Sequence, residues 1–314
     1  MFKKIIKTLI LLMFILLFFV SCAVKKTNQK IIKFACSYSS TDAGIRAIQL
    51  SLKKYEKMHP DIKIDYRWLT KDFNTKVLTM IASGDAPDIF RMNPSVVPTF
   101  IKKNALMALD DFIKNDKNFN IKDFFQETLK KYKYDGKTIG KGKIYGFGTD
   151  WSPDTTMFYN ADLFQANGLK IPKKSMSWSK YVKVAKKITK RNGSNKIFGT
   201  IEPTFMMLVY QNGGKIFNKN RTKCVLDQPR SLEAINFLNK INRVYKVSPS
   251  QAESQDTDRT QLFLTKKIGM MFAGRYYAST LMRLIRNKFA WGVAPTLHKT
   301  GRKRVNVMLA LLVG

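Results

Sequence analysis

Short apolar runs at Ile31 to Cys36 and Ile62 to Trp68 read as strands, and the segment between them reads as a helix. There Ile45, Ile48, Leu52 and Tyr55 recur at the 3.6-residue spacing of one helical face, after the turn-rich stretch Ser37 to Asp42 and just before Pro60. A second helical face carries Val77, Leu78 and Ile81, stops near Gly84, and leads into a short buried strand, Asp88-Ile89-Phe90. Strands alternating with helices predict an α/β fold with parallel strands. The alternation returns after the glycine-rich stretch Gly136 to Gly148. A strand is expected around Met157 to Tyr159, a helix from Trp178 to Thr189, an extended piece at Ile197 to Ile201 and a helix from Leu232 to Tyr245, followed by a polar loop from Ser248 to Arg259. Two similar lobes are implied.

The N-terminus does not fit this pattern. Lys3, Lys4 and Lys7 precede an uncharged apolar run from Leu9 to Val20, which is short for a membrane span and has the shape of a signal peptide. The run ends in Phe19-Val20-Ser21-Cys22, which resembles the lipobox of bacterial lipoproteins, with Phe19 where Leu is usual. That resemblance implies export, cleavage after residue 21, acylation of Cys22 and a polar tether over 22–30.

At 314 residues and 45% hydrophobic content the chain is long enough for two ordinary cores. The net charge is +34, and setting aside the three lysines of the leader leaves +31. Such a field suits either an acidic ligand or polyanionic surface, or a lysine-rich bias spread over solvated faces. The lysines are scattered and interleave with no aromatic motif, which points to the second reading and away from nucleic acid. After processing only Cys36 and Cys224 remain, too far apart for a short disulfide framework or metal spacing, and both read as small buried hydrophobes. His59 and His298 are the only histidines, so neither a metal centre nor a histidine-based triad is called for, and no cofactor is.

Taken in order, the segments resemble family 1 of the bacterial extracellular solute-binding proteins, the sugar-binding components of ABC importers that include maltose-binding protein. The resemblance rests on Ile81-Ala82-Ser83-Gly84-Asp85-Ala86-Pro87-Asp88-Ile89-Phe90, on Lys143-Ile144-Tyr145-Gly146, and on Phe158-Tyr159-Asn160-Ala161-Asp162-Leu163-Phe164 followed by Gly168-Leu169 and Trp178. It implies a periplasmic-binding-protein-like type II fold: two α/β lobes joined by a hinge, with a ligand cleft between them. Lobe 1 would hold 31–150 and 296–314, and lobe 2 would hold 151–295. Family members continue for on the order of a hundred further residues past the segment after Pro295, so the resemblance also implies a C-terminally truncated chain.

The same resemblance nominates ligand contacts. Glu202-Pro203-Thr204-Phe205 is similar to a Glu-Pro-aromatic segment whose Glu accepts hydrogen bonds from sugar hydroxyls, with Thr204 standing where the family carries a stacking ring. Gly269 to Tyr276 is similar to the strand and turn that end in a cleft aromatic, and Tyr276 takes that place. An aromatic ring there packs against the C–H face of a pyranose. Tyr38, Ser39 and Asp42 after the first strand, and Met92, Asn93 and Ser95 after Phe90, fall in loops that face the cleft in the family, while Asp150 and Trp151 lie near the first crossing, where a hinge role stands beside ligand contact. The function implied is capture of a small solute, in particular a sugar, by hinge closure, and delivery to the membrane permease of an ABC transporter by a lipid-anchored monomer. No catalysis is implied. Two other classes stand beside this reading. One is an exported glycan hydrolase using Asp150, Asp154 and Glu202. The other is an adhesive or structural surface lipoprotein. A nucleophile elbow and a His-Glu-x-x-His helix are missing, and Gly136-Lys137-Thr138 has Lys131 where a phosphate loop needs glycine.

Overall fold

A computed structural model describes residues 29–37, 43–69, 72–153, 155–191, 193, 195–219, 222–254, 258–302, 304–305 and 308–313, with backbone alone at 43–44, 149–153 and 308–313. The chain forms two compact units, Met1–Arg91 and Met92–Gly314. The lipobox residue Cys22 lies outside the described residues.

The first unit is a β-α-β-α-β run: β1 (Lys30–Cys36), α1 (Ala43–Met58), β2 (Ile62–Trp68), α2 (Phe73–Ala82) and β3 (Ile89–Phe90). All three strands are parallel, in the order β2-β1-β3, with Lys30 opposite Ile62 and Ala35 opposite Phe90. Phe34, Ala35 and Cys36 are buried in succession, as expected of a central parallel strand covered on both faces. The turn after α2 is held by its acids. Asp85 bridges Lys33 Nζ at 2.7 Å and Arg67 Nη1 at 2.5 Å, and Asp88 accepts the Lys33 amide at 2.8 Å, so β1, β2 and the entry to β3 are tied together. Gly84 makes the turn possible with φ +79°, where a side chain would be strained.

The second unit opens with short helices α3 (Val97–Lys102), α4 (Asp110–Asn115) and α5 (Gln126–Lys130) and the ribbon of β4 (Lys133–Tyr134) with β5 (Lys143–Ile144). Then come β6 (Phe147–Pro153), β7 (Thr156–Asn160), α6 (Ala161–Ala166), α7 (Trp178–Ile188), β8 (Phe198–Thr200), α8 (Phe205–Gln211) and α9 (Pro229–Asn239). The chain closes with α10 (Arg259–Leu264), β9 (Ile268–Ala273), α11 (Tyr277–Ile285), β10 (Trp291–Ala294) and β11 (Met308–Val313). The central sheet has the order β10-β7-β9-β8, with β8 and β9 parallel and the other pairs antiparallel, and β11 pairs antiparallel with β6. Side chains of β7 alternate between two cores. Met157 and Tyr159 join Trp178, Tyr181, Met207, Leu208 and Ala234 on one face, and Phe158 joins Phe263, Leu281, Ile285 and Phe289 on the other. At Gly199 the backbone of β8 lies so close to α7 that an added Cβ would sit 2.0 Å from the Ala185 carbonyl oxygen.

The helix expected from Leu232 to Tyr245 is two segments, because α9 gives way at Lys240 to one π-turn through Val244, closed by the Tyr245 amide on the Lys240 carbonyl at 2.7 Å. Cys36 is buried, but Cys224 is exposed, a correction to its reading as a buried hydrophobe: it sits opposite Phe217 in a surface turn. No helix among the described residues is long and apolar enough to cross a membrane.

Candidate functional site

Strand direction decides what meets at the edge of the second unit's sheet. Because β8 and β9 are parallel, their C-terminal ends lie side by side, delivering Ile201 to Phe205 and Gly274 to Tyr276 to one edge. Since β7 runs the other way, with Thr156 opposite Ala273, its N-terminal end lies there too, and Ala294, the last residue of β10, is opposite Met157. The edge therefore gathers Glu202, Thr204, Phe205 and Tyr276, and the strand bearing Asp150 and Trp151 leads into it through Pro153. Of Asp150 and Trp151 only the backbone is described, paired with Leu311 and Ala310.

The local chemistry explains how the loop is held. Thr204 caps α8, its hydroxyl accepting the Met207 amide at 3.4 Å, which fixes Phe205 as the first helical residue. Phe205 is 41% exposed and Tyr276 53% exposed, so both present apolar ring surface to solvent. Met206 and Tyr210 share the exposed face of α8, while Met207, Leu208, Val209 and Gln211 anchor the buried one. Glu202 is half-buried, and its Oε2 accepts a hydrogen bond from the hydroxyl of buried Ser248. Its Oε1 has no hydrogen-bond partner among the described residues. Beneath it, the hydroxyl of fully buried Tyr181 donates to Thr200 Oγ1 at 2.7 Å, and Thr200 donates to the Ile201 carbonyl at 2.6 Å. Burial pushes the Tyr181 hydroxyl far above its ordinary range and the Glu202 charge acts the same way, while the bond to Thr200 opposes them.

The remaining nominated residues are placed differently. Met92 is buried, and the Asn93 side chain accepts the Ser95 amide at 3.0 Å and its hydroxyl at 2.9 Å, capping a single 3-10 turn. Tyr38, Ser39, Asp42 and Asp154 lie outside the described residues. Nothing in the pattern around Ser248, read as the start of a polar loop, marks it as a partner of Glu202. Only the fold brings them together, across 46 positions of chain. A groove of about 1170 Å³ runs elsewhere, along α6, α7 and the segment joining them, and is lined by Leu169, Ile171, Lys170, Lys173, Lys174 and Lys180. It holds neither an aromatic nor an acidic side chain and is separate from the edge. Among the described residues no group of three or more His, Cys, Asp or Glu could hold a metal ion.

Comparison with known proteins bears on the fold and the family. A binding protein of Brucella abortus is 26% identical over 249 residues, 77% of this chain and 57% of the relative, so the chain spans little more than half the length of that relative. Among solved structures, an ABC substrate-binding protein from Listeria monocytogenes in complex with cycloalternan superimposes with a TM-score of 0.80 at 29% identity, covering 91% of this chain and 70% of that one. The maltose-bound MalE3 of T. maritima shares the fold, with a TM-score of 0.71, 19% identity, and coverage of 91% and 72%. The fold is thus the α/β, periplasmic-binding-protein-like type II fold that the ordered motifs imply. The profile of the bacterial extracellular solute-binding proteins matches residues 38–314, and the chain belongs to that family.

Proposed function

We propose that this chain captures a neutral carbohydrate outside the cytoplasm and hands it to the permease of an ABC transporter. The observation that carries the reading is the placement of an acceptor carboxylate, Glu202, and the exposed rings of Phe205 and Tyr276 at the same end of one sheet. A pyranose offers hydroxyl donors around its rim and an apolar C–H face, and this pairing answers both. Carbohydrates in the Listeria and T. maritima relatives support the choice of ligand class. Binding would close lobe 2 (151–295) onto lobe 1 (31–150 with 296–314), because a solute touching both stabilises the closed state over the open one. Acylation at Cys22 would keep a monomer at the outer face of the membrane, near the permease. No covalent step is needed for that role.

Calorimetric titration with maltotriose and mannotriose tests the ligand class. Tyr276→Ala is expected to weaken binding by about 1–3 kcal/mol with little change in the melting temperature of the unliganded protein. Unchanged affinity removes Tyr276 from the site. For the anchor, Cys22→Ala is expected to abolish metabolic labelling by a radioactive fatty acid, and persistent labelling rejects acylation there.

A further inference from the structure

We propose that Ser248 is a positioning residue for solute binding, setting the Glu202 carboxylate so that one oxygen is committed to the protein and the other is presented to the ligand; this rests on the reading of Glu202 as a solute contact. Three observations lead there. Ser248 is 2% exposed, so its hydroxyl has little access to water, and it donates to Glu202 Oε2. Oε1 of the same carboxylate makes no hydrogen bond among the described residues, although Glu202 is half-buried. The backbone, finally, fixes the pair. The Thr200 amide donates to the Val247 carbonyl at 3.1 Å and the Val247 amide to the Ile241 carbonyl at 3.2 Å, so the segment leaving the π-turn is laid against the end of β8 with Ser248 beside Glu202. Pro249 keeps Ser248 out of helical backbone, so the segment does not coil away from that contact.

The consequence is chemical. A glutamate on a loop has three side-chain torsions to lose when it binds, and a carboxylate already held through one oxygen loses fewer. The hydroxyl-to-carboxylate bond is charge-assisted and sits at the partly desolvated foot of the loop, where such bonds are strong. What remains is an acceptor of fixed direction carrying negative charge. It favours ligands that donate, such as neutral sugars, and disfavours those that bring their own anionic group.

The test is a double-mutant cycle on the full chain, titrated separately with maltotriose, mannotriose and cycloalternan and followed with whichever binds most tightly. Ser248→Ala is expected to weaken binding about tenfold and Ser248→Thr, which keeps the hydroxyl, less than about threefold. In a Glu202→Ala background Ser248→Ala should cost nothing further, because the two act through one carboxylate. An equal loss in both backgrounds would show a merely structural serine and overturn the proposal, as would wild-type affinity in Ser248→Ala. Should Ser248→Ala not fold, Ser248→Thr and Ser248→Cys carry the same cycle, with the cysteine, a weak donor, expected to bind more weakly than the threonine and the reverse order counting against the proposal. Wild-type affinity in Glu202→Ala would instead remove Glu202 from the site, and failure of all three sugars to bind would overturn the carbohydrate reading. Either result takes the role of Ser248 with it.

Discussion

Two acidic turns beside strand ends behave differently in this molecule. In the first unit, Gly84-Asp85-Ala86-Pro87-Asp88 spends its carboxylates on the protein itself: Asp85 on Arg67 and Lys33, Asp88 on the backbone of β1. In the second, Glu202-Pro203-Thr204-Phe205 engages one oxygen of its acid with Ser248 and leaves the other without a partner among the described residues. Both are acid-and-proline turns next to a strand, and by sequence either could be a binding loop. The difference lies in which cations and donors the neighbouring strands bring within reach. A carboxylate neutralised by two bases stabilises a fold, whereas one held by a single hydroxyl keeps its capacity to accept.

The largest expected effect separates the two regions by a glycine in each, Gly199 in the strand that leads to the Glu202 turn and Gly84 in the Asp85 turn. Gly199→Ala would drive a methyl into the Ala185 carbonyl beneath the Glu202 loop and should cost about 3 kcal/mol or more in denaturant unfolding, because the Ala185 atoms it meets are all backbone. Gly84→Ala meets no atom within 4 Å and suffers only from its positive φ, so about 1–2 kcal/mol is expected. Equal costs would mean that β8 can shift away from α7. Next in size, Glu202→Gln should lose roughly 1–3 kcal/mol of sugar affinity at nearly constant stability, and Asp85→Asn should lower thermal stability at constant affinity. Calorimetry paired with thermal melts reads both, and a swapped pattern breaks the contrast.

Titration gives a subtler separation. Hydrogen bonds from Arg67 and then Lys33 hold the Asp85 carboxyl down at about 2. A folded-state value below the unfolded one means that Asp85 stabilises the fold above roughly pH 4 and that this contribution fades as pH falls towards 2. Glu253 follows the same course, held down to about 2 by Lys196 first and then by the Ser250 amide. Melting temperature should therefore drop between pH 4 and pH 2, and Asp85→Asn should flatten part of that drop. No change in the slope would show that Asp85 is not what titrates. The smallest effect concerns charge. If Glu202 meets neutral hydroxyls, sugar affinity should change less than about twofold between 0.1 and 1 M salt, over which the Debye length falls from about 10 to about 3 Å. A tenfold loss would reassign the lysines to an anionic ligand.

Much of the fold was legible because it is written locally. Strands β1 and β2 and helices α1 and α7 fall within a residue or two of where periodicity and flanking Pro or turn residues put them, since an apolar stripe and its stop signals are properties of neighbours in sequence. The nominated residues Glu202, Thr204, Phe205 and Tyr276 arrive at one edge because they lie within a few residues of the ends of β8 and β9, and strand ends can be read from sequence. The break at Lys240 was not legible: helical spacing continues through it, and the change to a π-turn accompanies the docking of Val247 on Thr200. Nor was the exposure of Cys224, which depends on a turn closing against Phe217.

By itself, the sequence determined the α/β alternation, the family and the residue types offered at the strand ends. Tertiary structure alone decided which acids are used up and which remain available. Asp85 and Glu202 differ because parallel strands carry Arg67 and Lys33 to the first and a distant loop carries Ser248 to the second. Pairing of that kind is set by strand order and register, which bring together residues far apart along the chain and leave no mark on the local pattern around either partner.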